Sequence, residues 1–403
     1  MVKSMRAVAR ALESGVAVFR RKLSAGELGS LPVVLVLAVV WITFQSLNEN
    51  FLSPRNLSNL SVDIVGTGLI AVGIVFVLLL GELDLSVGSV SGLAAAVFAV
   101  LNVNHGVPEW LALIVAVLAG TVAGTVQGYS IARTRVPAFV VTLAGLLTWN
   151  GLMLAVLGDS GTVNLDENGL IARLTSYYFT QDAVAYGLAA LAAGAYFLVC
   201  DRDRRRRRAV DMPHRSLRGT VVRTAGLAAV AFTVAYGLNR FQGLPLALLV
   251  FLVVVAGLDV MLRRTHYGRQ VYALGGSVEA SRRASLSVTR VQTAVLAVSG
   301  TMAAVGGLFL ASRITSVSQS SGSGVLLVNA IAAAVIGGTS LFGGRGTTWS
   351  AVLGMLVIQS IASGMAITDT PPAVQFIITG GVLFAAVVID ALSRRSQESH
   401  GRA

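Results

Sequence analysis

Two carboxylates, Glu82 and Asp84, stand in a short polar segment between two long apolar stretches of the sequence. The segment reads Gly81-Glu82-Leu83-Asp84-Leu85-Ser86-Val87-Gly88-Ser89. Acidic groups in such surroundings are costly, and they usually serve a function or face a cavity. A simpler role is also open, because Asp84 or Ser86 would cap a helix that starts near Val87. Spacing alone favours the cap over a role in transport.

A second segment, residues 336–346, contains five glycines and is expected to interrupt any helix. Non-helical backbone at membrane depth is tolerated only where protein or a water-filled cavity surrounds it. The segment therefore predicts a tight, irregular and enclosed loop. Its candidate site residues are Gly337, Gly338, Thr339, Ser340, Gly343, Gly344 and Gly346.

A third segment, residues 268–288, is basic and also carries a pair of glycines. The glycine pair predicts a hinge, and Ser277 is expected to cap a short helix that runs to about Leu286. A helix of small residues at this place suits docking into a partner, although the composition fits a solvated loop equally well. The candidate residues are Gly275, Gly276, Ser277, Glu279, Ala280 and Arg282.

Several kinds of chemistry lack the residues that they need. Lysine occurs only at Lys3 and Lys22, so a G-x-x-x-x-G-K-[ST] phosphate loop has no lysine to contact phosphates. Cys200 is the single cysteine, and the four histidines are scattered without metal-ligand spacing. We therefore expect no cofactor, no metal site and no enzymatic activity of the chain itself.

The elements that must position these segments are membrane-spanning helices. Hydrophobic residues make up 55% of the 403-residue chain and charged residues 12%, about half the share in soluble domains. Stretches of about 20 apolar residues predict twelve spans in an all-α integral membrane protein. The predicted spans are 31–47, 62–80, 87–103, 110–132, 136–158, 183–200, 221–238, 244–262, 291–312, 325–342, 347–365 and 374–392.

The placement of basic residues predicts the orientation of these spans. If the N-terminus is cytoplasmic, 26 of the 31 Lys and Arg residues fall on the cytoplasmic side, as the positive-inside rule requires. Both termini are thus expected inside. The predicted parts are a cytoplasmic amphipathic segment at 1–30, a single transmembrane domain at 31–392 with inside loops at 201–220 and 263–290, and a cytoplasmic tail at 393–403.

An arginine run, Arg204 to Arg208, lies in the predicted loop 201–220. Arginine next to a span is usually a topogenic anchor and a contact for anionic lipid head groups. No interleaved aromatic residues or recognisable module accompany the run, so binding to nucleic acid is not expected.

Four polar, uncharged residues lie inside predicted spans and could offer hydrogen bonds to a hydroxylated solute. The same residues also suit hydrogen bonding between helices, which is the favoured interpretation. They are Gln127, Asn150, Asn329 and Gln359.

An ion-coupled secondary transporter of a small polar solute is the main alternative. Such proteins usually carry carboxylates or histidines midway through their spans. Here Asp63, Asp259 and Asp390 lie near span ends, which disfavours this alternative.

The three segments, in this order, resemble the permease subunits of the ribose, xylose and galactose branch of ABC sugar importers. The family patterns are similar to G-G-I-D-L-S-V-G, to G-G-T-S-L-x-G-G-x-G and to the coupling-loop pattern A-I-G-G-N-x-x-A-A-R-x-S-G-I. The third pattern is matched at Ala273, Gly275, Gly276, Ala280 and Arg282, whereas Ser277, Ser281 and Ser285 replace its Asn, Ala and Gly.

Two features resemble the xylose-type members most. Glu82 replaces the second glycine of the first pattern, and the spans 183–200 and 221–238 add a pair to a family core of about ten. The resemblance implies a homodimer in the cytoplasmic (inner) membrane of a bacterium that translocates a xylose-like pentose or related monosaccharide. It also implies a separate ATPase docked on the coupling loop and an extracytoplasmic sugar-binding protein.

Overall fold

The computed structural model describes residues 31–399 apart from Arg135 and Arg215. The predicted amphipathic segment 1–30 and residues 400–403 lie outside the described residues. The first eight helices are α1 (Leu31–Leu47), α2 (Pro54–Leu79), α3 (Val87–Ala99), α4 (Glu109–Thr134), α5 (Ala138–Leu157), α6 (Leu170–Ser176), α7 (Asp182–Arg208) and α8 (Leu217–Asn239). The others are α9 (Leu246–Arg264), α10 (His266–Gly276), α11 (Val278–Arg283), α12 (Val288–Ile314), α13 (Gly324–Ile336), α14 (Thr348–Ile367) and α15 (Pro372–Ser399).

Twelve of these helices are apolar, in agreement with the predicted number of spans. Within the described residues, nine helical stretches are long and apolar enough to cross a membrane, α3 together with the π-helical turn Val100–Asn104 that continues it. The apolar parts of α1, α13 and α15 are shorter and span Pro32–Leu47, Gly324–Ile336 and Pro372–Val388. Four strands of two or three residues complete the structure, namely β1 (Thr162–Asn164), β2 (Tyr178–Phe179), β3 (Leu244–Pro245) and β4 (Ser316–Ser318). The prediction of an all-α multi-pass membrane protein is confirmed.

Helices α2 and α12 form the centre of the bundle. Helix α2 is buried along most of its length and contacts α12, α13 and α14, while α12 also packs on α3 and α4. Glycines allow the closest approaches, because a Cβ at Gly300 of α12 would lie only 2.2 Å from the carbonyl oxygen of Gly120 on α4. Small residues at such crossings are typical of helix pairs in membranes.

Several predicted boundaries differ from the structure, and two of them lie beside the motif segments. Helix α13 ends at Ile336 rather than at 342, because the glycine-rich segment begins there. The predicted arginine-rich loop 201–220 is mostly helical, since α7 continues through Arg208. Arginine is a good helix former, and Asp201 accepts bonds from Arg204 and Arg205 one turn later, which supports the extension.

Helices α7 and α8 form the extra pair and pack mainly on each other. Strands β2 and β3 pair antiparallel just outside the two helices, with Phe179 opposite Leu244. The chain therefore leaves the bundle and returns to it at nearly the same point.

The links between helices gather at two ends of the bundle. The motif end holds residues 80–86, 265–287 and 337–347, and an ion pair between Arg264 and Asp203 places the end of α7 beside them. The opposite end holds the antiparallel pair β1 and β4 together with the pair β2 and β3. This arrangement agrees with the predicted alternation of inside and outside segments.

Candidate functional site

The three segments that the sequence analysis singled out meet at the motif end. The amide of Gly344 donates a 2.9 Å hydrogen bond to the carbonyl oxygen of Leu79, the last residue of α2. A Cβ at Gly275 of α10 would lie 1.7 Å from the same oxygen and 2.9 Å from the Gly344 nitrogen. The end of α2, the end of α10 and the glycine-rich segment are thus in direct backbone contact.

Glycine is required in the glycine-rich segment for two reasons. Gly343 and Gly344 have φ angles of +88° and +73°, in the left-handed region that other residues rarely adopt. A Cβ at Gly343 would also lie 2.7 Å from the carbonyl oxygen of Gly275 and 3.0 Å from the nitrogen of Gly81. The predicted tight and irregular loop is present, and the predicted hinge at Gly275 and Gly276 stays a prediction: both residues end α10, and Gly275 is a contact point.

A tyrosine of α10 adds a side-chain contact to this junction. The Tyr272 hydroxyl donates a 2.8 Å hydrogen bond to the carbonyl oxygen of Gly346. Burial raises the pKa of Tyr272, so its hydroxyl remains a donor through the neutral range. The bond ties α10 to the far end of the glycine-rich segment.

Helix α11 projects from this junction as a short, capped and exposed helix. Ser277 is its N-cap and accepts a 3.2 Å bond from the amide of Ala280, which confirms the predicted cap. The helix ends at Arg283 rather than at 286, because Ser285 adopts a left-handed φ of +60°. Glu279, Ala280 and Arg282 are exposed, as a docking helix requires.

Asp84 lies buried at the start of α3 and holds three donors. Its Oδ1 accepts bonds from the amide and the hydroxyl of Ser86, at 3.0 and 2.6 Å, and its Oδ2 accepts a 2.9 Å bond from Ser299 of α12. Helix α3 does begin at Val87, but the Ser86 side chain makes no capping bond to it. The predicted cap is therefore wrong, since the Asp84 carboxylate fixes the link between α2 and α3 to α12.

Gln127 of α4 completes this buried cluster. The Ser86 hydroxyl lies 3.0 Å from the Gln127 amide oxygen, while the Gln127 amide nitrogen is buried without a partner among the described residues. A hydroxyl has a single hydrogen, and here Asp84 accepts it. Turning the amide by 180° places its nitrogen toward Ser86, so that the Ser86 oxygen donates to Asp84 and accepts from Gln127.

Glu82 stands beside the cluster and faces a cavity at the motif end. Its Oε1 accepts a 2.6 Å bond from Gln292 of α12, and its Oε2 has no partner in the described part of the chain. The cavity measures about 520 Å³, and its wall includes Arg282 of α11 and Thr289. A carboxylate, an arginine and hydroxyl groups thus share one space next to the exposed helix.

The four predicted pathway residues do not share one place. Gln127 belongs to the buried Asp84 cluster, as the interpretation of hydrogen bonding between helices expects. Asn150 is half-buried on α5, and Asn329 and Gln359 are half-buried on the neighbouring helices α13 and α14.

Several residues of the site were not expected from the sequence. Leu79 and Tyr272 lie beside or within the segments singled out above, but their contacts with Gly344 and Gly346 were not expected. Gln292 and Ser299 contact Glu82 and Asp84 from far along the chain, and Ser299 lies in an apolar helix where a small polar residue attracts no notice. Phe342 could have been recognised in the sequence as a large apolar residue within the glycine-rich segment. In the structure its side chain is 50% exposed, which suits contact with a partner.

Known proteins resemble the chain over nearly its whole length. The family described as branched-chain amino acid transport system / permease component matches residues 56–387. The xylose transport system permease protein of Escherichia coli strain K12 is 35% identical over 363 residues, which are 90% of this chain and 90% of that protein. The corresponding protein of Haemophilus influenzae is 34% identical over 376 residues, 93% of this chain and 99% of that protein.

A ribose permease extends the comparison. The ribose import permease protein of Bacillus subtilis strain 168 is 29% identical over 365 residues, 91% of this chain and 94% of that protein. No solved structure matches the chain. The resemblance to permease subunits of the ribose, xylose and galactose ABC importers is confirmed, and an ion-coupled secondary transporter is not favoured.

These matches agree with the apolar helix bundle and describe a transport component. The chain is a multi-pass protein of the bacterial inner membrane. It belongs to the branched-chain amino acid transport system / permease component family.

Proposed function

We propose that the chain is the permease subunit of an ABC importer that carries xylose or a related monosaccharide, driven by a separate ATPase. The junction at the motif end is the main support for this proposal. There the ends of α2 and α10 and the glycine-rich segment share backbone contacts, and α11 projects from them. A push on α11 would reach the central helix α2 through Gly275 and Leu79 without passing through flexible side chains.

The ATPase is proposed to bind α11. Ala280 offers a small surface that a cleft can approach closely, and Glu279 and Arg282 provide charges of both signs that fix the orientation. The exposed ring of Phe342 lies at the same end and would extend the contact.

The opposite end is proposed to receive the sugar-binding protein. A cavity of about 510 Å³ opens there and is lined by charged and hydroxyl groups, among them Arg55, Glu167 and Ser312. This assignment places the motif end and both termini in the cytoplasm. The amphipathic segment 1–30, the single transmembrane domain 31–392 and the tail 393–403 keep their predicted roles, and two copies are proposed to form the sugar path between them.

The sugar is proposed from the relatives. Two of the three proteins compared above are named for xylose and one for ribose, and the identity is higher for the xylose proteins. Both sugars are pentoses, so a pentose is the proposed substrate.

The proposal is tested by ATP-driven uptake of labelled xylose and ribose into liposomes that hold the chain with its co-purified ATPase, and with the binding protein supplied outside. We expect Ala280→Trp to abolish uptake and to reduce the recovery of the ATPase, because an indole would overpack the contact by about 1–3 kcal/mol. Ala209→Trp, which is also exposed at the motif end, is the matched control and should leave uptake intact.

Two outcomes would contradict the proposal. Pentose uptake in the absence of ATP or of any associated ATPase would indicate a different transport class. Normal uptake by Ala280→Trp would remove α11 as the docking element.

A further inference from the structure

Helix α13 is too short to cross the membrane by itself. Its 13 residues form a helix about 20 Å long, whereas the hydrocarbon core of a bilayer is about 30 Å thick. The helix ends at Ile336, beside the glycine-rich segment of the motif end, so its first residue, Gly324, lies part-way along the bundle. The chain covers the remaining depth in residues 315–323, between α12 and α13, which we name the descending loop.

Contacts with α3 show how far the descending loop enters the bundle. The loop starts at the end opposite the motif end, where Ser318 pairs with Thr162 in the sheet of β1 and β4. Farther along the loop, a Cβ at Gly322 would lie only 2.1 Å from the carbonyl oxygen of Gly88, in the first turn of α3. The loop therefore runs inward from the sheet to the beginning of α3.

The first turn of α3 lies level with the middle of the long helix α12. Asp84, just before α3, accepts its 2.9 Å bond from Ser299, and a Cβ at Gly307 would lie 2.2 Å from the carbonyl oxygen of Ser91 in α3. Ser299 and Gly307 stand on either side of the midpoint of α12, which has 27 residues. Because α12 runs from one end of the bundle to the other, the descending loop ends near the middle of the membrane.

The descending loop carries exposed polar groups to this depth. The side chains of Gln319, Ser320 and Ser323 are exposed. Ser323 stands at the N-cap of α13, but its hydroxyl makes no bond to the first turn of that helix. Irregular backbone at membrane depth does not face lipid, and it occurs only where protein or a water-filled cavity surrounds it. The exposed side of the loop is therefore turned away from the hydrocarbon.

We propose that the descending loop lines the sugar path near the middle of the membrane, and that the hydroxyls of Ser320 and Ser323 form hydrogen bonds with the passing sugar. The proposal rests on the importer function proposed above and adds to it the residues that contact the solute. A pentose is a neutral molecule whose hydroxyl groups both donate and accept hydrogen bonds, as the hydroxyl of serine does.

The strength of these bonds also suits a transport path. Hydrogen bonds between neutral hydroxyls are weaker than bonds to a charged group, so the sugar is released again after each contact. The nearby Asp84 carboxylate would hold a hydroxyl more strongly, but it is buried and already accepts bonds from Ser86 and Ser299. The exposed serines of the loop are thus the groups available to the sugar at this depth.

The first test measures whether a cysteine at position 323 meets water. A chain in which Cys200 is replaced by serine is reconstituted with its ATPase in liposomes, and an impermeant thiosulfonate is supplied on both sides of the membrane. Ser323→Cys should react, because a thiol in water forms the reactive thiolate.

The matched control is Val122→Cys on α4. Val122 is 57% exposed, and it lies between Gly120 and Gly124, which both approach α12 near its middle. Its side chain therefore stands at a similar depth on the side of α4 that is turned away from α12. We expect no reaction at this position, because hydrocarbon excludes the reagent.

The second test separates contact with the sugar from access of water. Ser323→Thr keeps the hydroxyl, and Ser323→Val has nearly the same shape as that variant but no hydroxyl. With ATP and saturating xylose-loaded binding protein, we expect uptake by Ser323→Val to be about fivefold slower than by Ser323→Thr, the effect of one neutral hydrogen bond. Transport of xylose should also slow the modification of Ser323→Cys.

Two results would overturn the proposal. If Ser323→Cys is as unreactive as Val122→Cys, the loop is packed against a second copy or another protein instead of lining the path. If the threonine and valine variants import xylose at the same rate, the hydroxyl does not contact the sugar. Failure of the unchanged protein to import any pentose would contradict the proposed function, and with it the sugar contact. The reaction of Ser323→Cys, measured without sugar or ATP, decides separately whether the loop lines a water-filled path.

Discussion

The amide of Gly344 donates a 2.9 Å hydrogen bond to the carbonyl oxygen of Leu79, and this bond joins two parts of the chain that lie far apart in sequence. Leu79 ends the most buried helix of the bundle, and Gly344 belongs to a loop at the surface of the motif end. The bond therefore connects the surface of the motif end directly to the central helix α2. It exists only because Gly275 leaves room beside it.

Gly275→Ala should disrupt this junction. The new methyl group would lie 1.7 Å from the Leu79 oxygen, so backbone segments must separate at a cost of about 1–3 kcal/mol. We expect a lower unfolding temperature and a loss of pentose uptake with normal membrane insertion. Gly276→Ala is the control, because nothing lies within 4 Å of the place that its methyl group would take, and neither property should change. If Gly275→Ala and Gly276→Ala had the same unfolding temperature and the same uptake, the junction would tolerate the separation of its backbone segments.

Ser277→Ala should weaken α11 without altering its surface. The variant loses the bond from the Ala280 amide, and an N-cap of this kind contributes about 1 kcal/mol. A helix of six residues has little stability of its own, so partial loss of uptake is expected, with recovery in Ser277→Asp. Ser287→Ala is the control, since Ser287 stands at the N-cap of α12 without a side-chain bond. Full uptake by Ser277→Ala would mean that α11 need not be preformed.

Asp84→Ala should destabilise the bundle, and Asp84→Asn should restore most of the loss. Alanine leaves the Ser86 and Ser299 hydroxyls buried without their acceptor, at about 1–3 kcal/mol for each such group. Asparagine keeps one oxygen for Ser86 and offers a donor to Ser299. The measurement is the unfolding temperature of the purified proteins, which should be lowest for Asp84→Ala and closer to that of the unchanged protein for Asp84→Asn. An asparagine variant as unstable as the alanine variant would show that the negative charge itself is needed.

Single cysteines should report the proposed orientation in a chain whose Cys200 is replaced. Ser320→Cys should react with an impermeant maleimide in intact cells, and Met212→Cys and Ala284→Cys only after permeabilisation. All three positions are exposed. Gly322 is unsuitable as a reporter, because its φ is +79° and a Cβ there would lie 2.1 Å from the Gly88 oxygen. Labelling of Met212→Cys from outside would reverse the placement of α7 and α8.

The sequence predicts the helices and the motifs well, because both depend on local composition. Runs of apolar residues locate all twelve apolar helices, and Ser277 identifies the cap of α11. The end of α7 differs from its prediction, because a run of charges suggests a loop until the bonds from Arg204 and Arg205 to Asp201 are seen. Contacts such as Leu79 with Gly344 leave no local pattern, since they depend on how distant helices pack.

The pairing of β2 with β3 has an evolutionary consequence. Because Phe179 and Leu244 lie side by side, everything between them forms a closed excursion that the rest of the bundle does not need for its continuity. This segment contains two membrane helices and so crosses the bilayer an even number of times. Its gain or loss as one piece therefore leaves the orientation of all later helices unchanged. A helix pair such as α7 and α8 can therefore be gained at this point of the chain during evolution without any change in the other helices of the bundle.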